Sequence, residues 1–428
     1  MKQMNVFWLC LFAISLVISE PTSANTVEIK PILSLKMNYS DNILFSEGQV
    51  DTDLITTVSG GLAIRQKTEK MNANFEANLN QVLYQEFDEL NSLDNTFSGA
   101  VNYRLTHRLG INASGRYRKD SQRDRETDTT GLLVSGDRIS TNLSISTNYF
   151  FSETLQGDIT LNLGAVETDE SDQNEDNDQF GIDISFSKNL SQWFNNTTGL
   201  LNLNYLHYTS NVGSVTRGSV LTAGGDVSLI SSSHQKYASD IFQFSTGFSK
   251  ELTSKYIIYC MAGASYTKIY ETLTEQSIEA TEEGTIQEWE PQHTDGKDTI
   301  WGGVLSSGIN YTGFYYNMGL SLSQDIRGAS GTNGAVQRSS VSGNIHRKVT
   351  DNLTLSVNAS CYLNWNKRKT QSDTKDFTLN FQPGFKYKFT RDFILTGGYG
   401  FTYVRDMEDQ TTRTRNMIYL IFQKEFEL

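Results

Sequence analysis

The chain is short of the residues that most chemistry and most helical membrane folds require. It has 428 residues but three Cys, four Pro and five His, and only 37% of it is hydrophobic. A helical membrane bundle needs repeated stretches of about 20 apolar residues, so that class is excluded. Cys10 lies in the N-terminal apolar stretch, which leaves Cys260 and Cys361 and no disulfide framework to infer. The histidines are scattered: His107 in a tight turn, His234 and His293 in loops, His207 and His346 in separate strands. No HExxH, CxxC or other metal spacing occurs, so no metal or cofactor is expected. Gly60-Gly61 and Gly397-Gly398 lack the following helix and the spacing of a phosphate loop, and read as bends or close packing. With no distinguished Ser-His pair, an enzyme is the least supported class, and no catalytic residue is assigned.

The N-terminus reads as an address. Lys2 precedes the apolar stretch Val6–Ile18, and Thr22-Ser23-Ala24 offers small residues for cleavage, so residues 1–24 are expected to be a secretory signal peptide and 25–428 a single barrel domain. The 23 Phe and 20 Tyr are too many for a disordered chain.

What fills the remainder is alternation with period two. Leu353, Leu355, Val357, Ala359, Cys361, Leu363 and Trp365 share one parity, against Thr354, Ser356, Asn358, Ser360, Tyr362 and Asn364. Ile139–Tyr149 and Phe377–Phe389 repeat the pattern. Successive strand residues face opposite ways, so each strand has an oily side and a wet one. A soluble sandwich shares this pattern, but three features favour a membrane barrel. The strands run to about 13 residues where soluble ones average about 5–6. Tight connections, such as 105–108, 151–153, 349–352 and 390–392, alternate with longer acidic or Gly/Ser-rich ones. Aromatics, including Tyr103, Tyr149, Phe150, Tyr256, Tyr311, Phe389, Phe393 and Tyr403, gather near strand ends as interfacial girdles do.

The expected fold is therefore all-β: a transmembrane antiparallel barrel of about 18 strands, 16 and 20 being the alternatives, with short periplasmic turns and long extracellular loops. Segment 209–236 is the uncertain stretch, readable as a loop or as an extra external hairpin. Together with 271–298 it is the expected inward constriction. The last strand carries Ile418, Leu420, Phe422, Phe426 and Leu428 on one parity, resembling the C-terminal signal read by the barrel-assembly machinery.

Charge is unevenly placed. Residues 167–178 hold seven acids, and 271–298 hold nine against Lys297 alone, within a net charge of -13. They read as solvated loops, or as divalent-cation bridges to lipopolysaccharide phosphates. With the apolar parity turned to lipid, Lys36, Arg65, Arg104, Arg116, Arg118, Lys348, Lys386, Lys388 and Arg415 face inward, accompanied by Glu76, Asp158 and Asp183. Of these, Arg116, Arg118, Arg104, Lys386 and Arg65 are the candidate lumen residues for an anion preference. Arg65, Arg104, Lys348 and Lys388 also flank expected periplasmic turns and can simply reach water there.

Pro31-Ile32-Leu33-Ser34-Leu35-Lys36-Met37-Asn38-Tyr39-Ser40-Asp41-Asn42 resembles the opening strand of the β-barrel porin type 2 group, which includes barrels associated with exosortase and exopolysaccharide clusters. Leu105-Thr106-His107-Arg108-Leu109, Leu190-Ser191, Leu252-Thr253 and Phe389-Thr390-Arg391-Asp392-Phe393 resemble that group's hairpin-turn repeat. The resemblance implies a Gram-negative outer-membrane channel, serving exopolysaccharide export or polar solutes, and no catalytic residues. The expected partners are outer-membrane lipid and lipopolysaccharide, the assembly machinery and a polysaccharide or small polar solute, and not nucleic acid. The alternative is a plugged structural or surface-binding barrel. Removing Phe426 and Leu428 is expected to lower assembly into outer membranes, and a heat-modifiable barrel at normal yield would count against the terminal-signal reading.

Overall fold

The computed structural model describes residues 26–48, 51–121, 137–169, 173–222, 225–280, 286–288, 292–328, 335–366, 374–408 and 410–426. The expected signal peptide lies outside them, as does Leu428. In chain order the strands are β1 (Thr26–Ser40), β2 (Asp53–Lys67), β3 (Met71–Tyr84), β4 (Ser92–Arg104), β5 (Leu109–Asp120), β6 (Asp137–Phe150) and β7 (Leu155–Asp169). There follow β8 (Gln173–Asn189), β9 (Thr197–Thr222), β10 (Gly225–Thr253), β11 (Tyr256–Ala280), β12 (Ile286–Glu288) and β13 (Gln292–Thr312). The last six are β14 (Tyr316–Gly328), β15 (Ala335–Lys348), β16 (Leu353–Asn366), β17 (Thr374–Lys388), β18 (Phe393–Asp406) and β19 (Thr412–Glu425).

Each strand pairs antiparallel with its neighbours in sequence, and β1 pairs with both β2 and β19. The sheet thus closes on itself. β12 is a three-residue piece on the upper end of β11, so the wall has eighteen staves. Closure leaves no edge, which is what a sheet needs in a medium that cannot hydrogen-bond its backbone.

Residues paired across strands share a face, so the register carries the inside–outside assignment around the ring. Leu33, Met37, Leu79, Leu161, Leu203, Phe244, Leu320 and Ile418 are large apolar side chains exposed on the outer face. In water such a surface would be an aggregation site; facing lipid it is the apolar band of a membrane barrel. β11 and β13 also show its limits. Tyr256 packs on Tyr311 with ring centroids 4.7 Å apart, and Tyr266 on Trp301 at 4.8 Å. Both pairs are on the outer face, one at each end of the same crossing, and the spacing from Trp301 to Tyr311 matches the roughly 9–11 residues of a tilted membrane strand.

The eighteen strands fall where the alternation puts them, but four are longer than it predicts. The described parts of 209–236 form the external hairpin of the two expected readings, not a loop and not a further membrane pair. β9 and β10 stay in one register from Thr197↔Lys250 to Thr222↔Gly225. β11 and β13 likewise pair from Tyr256↔Tyr311 to Glu275↔Gln292. The described parts of 209–236 and 271–298 therefore continue the wall above the membrane rather than forming loops across the lumen. Above the lipid both faces meet water, so apolar alternation is no longer required and the sequence signal fades.

At the opposite side, the segment Tyr39-Ser40-Asp41-Asn42 ties the closing seam. Asp41 accepts from the Asn416 backbone N–H at 2.7 Å and from its side-chain amide at 2.6 Å. The Asn42 amide donates to the carbonyls of Ser46 and Thr414, both at 3.0 Å, and its Oδ1 accepts from Ser46 N–H at 3.0 Å. The next strand opens with buried Asp53. Its Oδ1 accepts from the N–H groups of Leu54 (2.6 Å), Gln85 (3.0 Å) and Glu86 (3.1 Å), and its Oδ2 from Phe87 (3.3 Å). One carboxylate thereby organises the β3–β4 connection. Asp53→Ala strands these donors and is expected to cost about 1–3 kcal/mol, read as a lower urea midpoint for the folded barrel in lipid vesicles, with Asp53→Asn retaining part of the loss.

Candidate functional site in the barrel lumen

Two rows of the inner wall are lined mostly by amide and hydroxyl side chains. One register row runs Asn102, Asn112, Ser146, Thr160, Asp183, Asn204, Gln243 and Ser265 from β4 to β11. On the other side Ser321, Ser342, Ser360, Asn380 and Thr402 form its counterpart from β14 to β18. These groups bond to one another: Asn112 to Ser146 at 3.2 Å, Ser321 with Ser342 at 2.7 Å, Ser323 with Ser340 at 2.6 Å. Asp183 accepts from Asn162 at 2.8 Å and from Asn204. Short amide and hydroxyl side chains fit here because β-strand positions facing a wet cavity need polarity without bulk.

The candidate basic residues do not form one ring. Arg116 and Arg118 lie two apart on the inner face of β5, in rows Glu76–Ser98–Arg116–Asn142 and Asn78–Thr96–Arg118–Ser140. Arg116 lines a wall hollow of about 460 Å³ with Glu76, Ser98, Asn142 and Gln179. Arg118 instead makes an ion pair with Asp120 at 2.5 Å. Arg104 and Arg65 have inward parity but sit at the short-turn end, where the Arg104 N–H bonds the Lys70 carbonyl. Lys386 is across the barrel on β17, facing Thr354 and Thr396. Charge gathers higher up, where the row Asp325–Arg338–Asn364–Asp376–Asp406 crosses β14 to β18.

Two elements narrow the extracellular mouth. The first is the β1–β2 connection, where Ile43 and Phe45 are buried and the Arg415 guanidinium lies 5.1 Å from the Phe45 ring centroid. Phe45 has φ +54°, a conformation costly for a bulky residue, held by this burial and by the Asn42 bonds. The second is the upper end of β14. Its ladder with β13 stops at Leu305↔Gln324. Beyond that point its Cα atoms come within 8 Å of those of β10 and β11. Three strand spacings along a wall would keep β10 about 14 Å away, so β14 has bent into the lumen. Its outer face then meets the inner face of the tall wall. Ile326, 2% exposed, packs with Ile241 and Ile269, and with Leu206 and Ile300. The Gln243 amide donates to the Ile326 carbonyl at 2.7 Å. On the other face of the hairpin, Arg338 stacks 4.2 Å from the Tyr362 ring centroid.

The constriction is thus β14–β15, while the described parts of 209–236 and 271–298 stand in the wall. A signal for it existed: Leu206, Ile241, Ile269 and Ile300 are apolar residues on the polar parity of four neighbouring strands.

The fold is a closed antiparallel β-barrel of eighteen staves. No family model matches the chain, and no curated protein matches it. Among solved structures it is similar to OccK2 (OpdF) from Pseudomonas aeruginosa, with TM-score 0.43 and 10% identity over 95% of this chain and 100% of that one. It is also similar to the ferric-catecholate import receptor Fiu from E. coli K12 in its closed form (TM-score 0.47, 9% identity, 90% of this chain, 65% of that chain). A third is the ferric yersiniabactin uptake receptor FyuA from Yersinia pestis (TM-score 0.43, 9% identity, 91% and 63%). The chain spans less than two thirds of the length of these two receptors.

Because Arg118 is neutralised by Asp120 and Arg116 has no ion pair of this kind among the described residues, their effects on ion selectivity should differ. Arg116→Glu is expected to move the reversal potential in a salt gradient toward cations, and Arg118→Glu to move it less; equal shifts, or none, would remove Arg116 as the selective charge.

Proposed function

We propose that the barrel is an outer-membrane channel for hydroxyl-rich polar solutes, of the kind that exopolysaccharide export or oligosaccharide passage would present. The observation that carries this reading is the pair of amide and hydroxyl rows on the inner wall. Such groups exchange hydrogen bonds with sugar hydroxyls at little net cost, since each donor or acceptor given up to the solute is replaced in kind. A dense ring of Lys or Arg would favour anions instead; here Arg116 stands near Glu76, and Arg118 is paired, so any anion bias is a modest overlay. Eighteen strands are wide enough for an aqueous lumen. The resemblance of Pro31–Asn42 to the exopolysaccharide-associated barrels supports the same solute class, as it supports membership of that group and contact with lipopolysaccharide.

The second reading is a plugged barrel with a structural or surface-binding role. It draws on the inward β14–β15 end and on buried Phe45, both of which take up space at the mouth.

Planar-bilayer recording separates the two. The channel reading expects stable conductance steps, larger steps when residues 327–336 are replaced by a tight turn, and reversible block by a neutral maltodextrin. Silence from both proteins, each verified as a heat-modifiable barrel, would overturn the channel and favour the plugged form.

A further inference from the structure

β13 and β14 part company inside the membrane band. Their ladder begins at Thr312↔Asn317 and ends at Leu305↔Gln324, while β13 stays paired with β11 up to Gln292 and β14 with β15 up to Gly328. Among the described residues, therefore, no strand pairs with the β14 side of β13 above Leu305. Trp301, 71% exposed, marks the upper aromatic level on β13 and Tyr311 the lower, and Leu305 lies between them on the same face. The wall is thus interrupted at a depth where lipid, not water, lies outside. Unpaired backbone at that depth is tolerated only where protein or a watered cavity covers it.

The cover is the bent end of β14. An added Cβ on Gly302 would lie 2.7 Å from Ile326 Cδ1 and 2.9 Å from Ser265 Oγ, so Ile326 is seated directly against the wall at the break. Behind it are Ile241 at 0% exposure and Ile269 at 4%, with Ile300 and Leu206 alongside. This is an oily patch on an inner wall otherwise lined largely by polar and charged side chains. A sugar or an ion gains nothing from such a surface, whereas an alkyl chain gains from every CH₂ it removes from water.

We propose that the β13–β14 seam is a lateral portal through which the acyl chain of an outer-leaflet amphiphile reaches the lumen. Ile326 occupies the chain's place when the portal is empty, and outward displacement of the β14 end uncovers the patch. The route runs sideways through the wall and does not depend on axial passage of polar solutes.

The test uses the full-length protein in proteoliposomes, in a Cys260→Ser, Cys361→Ser background. Gly302→Cys with Ile326→Cys places two thiols across the closed seam, so oxidation locks it and dithiothreitol releases it. The probe is palmitic acid carrying a terminal diazirine, with crosslinked residues mapped by mass spectrometry. The reduced protein is expected to be labelled at Ile241, Ile269 or Ile300. Oxidation should abolish that labelling while leaving outer-face labelling at Leu305 and Ile309 unchanged. Ile326→Ala, which needs no engineered thiols, should raise the inner-wall labelling. The proposal is overturned if label stays on the outer face in both the reduced protein and Ile326→Ala, or if the inner-wall label survives locking. If the double-cysteine protein does not fold, the Ile326→Ala result decides alone. Single-channel conductance measured in parallel reports the axial route separately, so loss of one does not imply loss of the other.

Discussion

Backbone hydrogen bonding in a solvent that offers none is the constraint from which this architecture follows. A strand in lipid must give every N–H and C=O a partner on each side, and only a closed ring does this without an edge. The weakest point of such a ring is where the two ends of the chain must meet, because no short turn holds β1 to β19. This protein reinforces the junction with side chains. Asp41 grips the backbone and amide of Asn416, Asn42 reaches the Thr414 carbonyl, and the Phe426 N–H closes onto Pro31 at the other end. The short run that resembles the opening motif of known barrels is thus a seam fastening, with a physical reason to be where it is.

Once the ring is closed, sidedness does the rest. Each side chain has only two choices, lipid or lumen, and the register propagates that choice from strand to strand. The lumen that results is lined largely by amides and hydroxyls, with charge spread among them and concentrated in the row Asp325–Arg338–Asn364–Asp376–Asp406 across β14 to β18.

The staves, their parity and the short turns were legible because lipid imposes the alternation that strand geometry then displays. The heights of β9, β10, β11 and β13 were not, because above the membrane neither face must be oily and Ser, Thr and Glu can occupy both. The constriction was misplaced for a related reason. A hairpin that folds inward keeps its period-two pattern intact, so nothing in 316–348 distinguishes a strand in the wall from one leaving it. The signal lay on its partners instead, in Leu206, Ile241, Ile269 and Ile300, each ordinary alone and informative only once the register sets them side by side. The basic residues show the same limit: parity put Arg116 and Arg118 on one face, but only coordinates reveal that Asp120 claims Arg118.

The inward bend of β14 also joins two features that would otherwise need separate explanations. A strand cannot leave the wall without exposing its neighbour's edge, and it cannot enter a polar lumen without bringing its lipid-facing side chains along. Both costs are met by one arrangement: the oily face of β14 lands on an oily patch of the inner wall, and the bent end covers the exposed edge of β13. The patch, the break and the constriction therefore share one element, the upper end of β14.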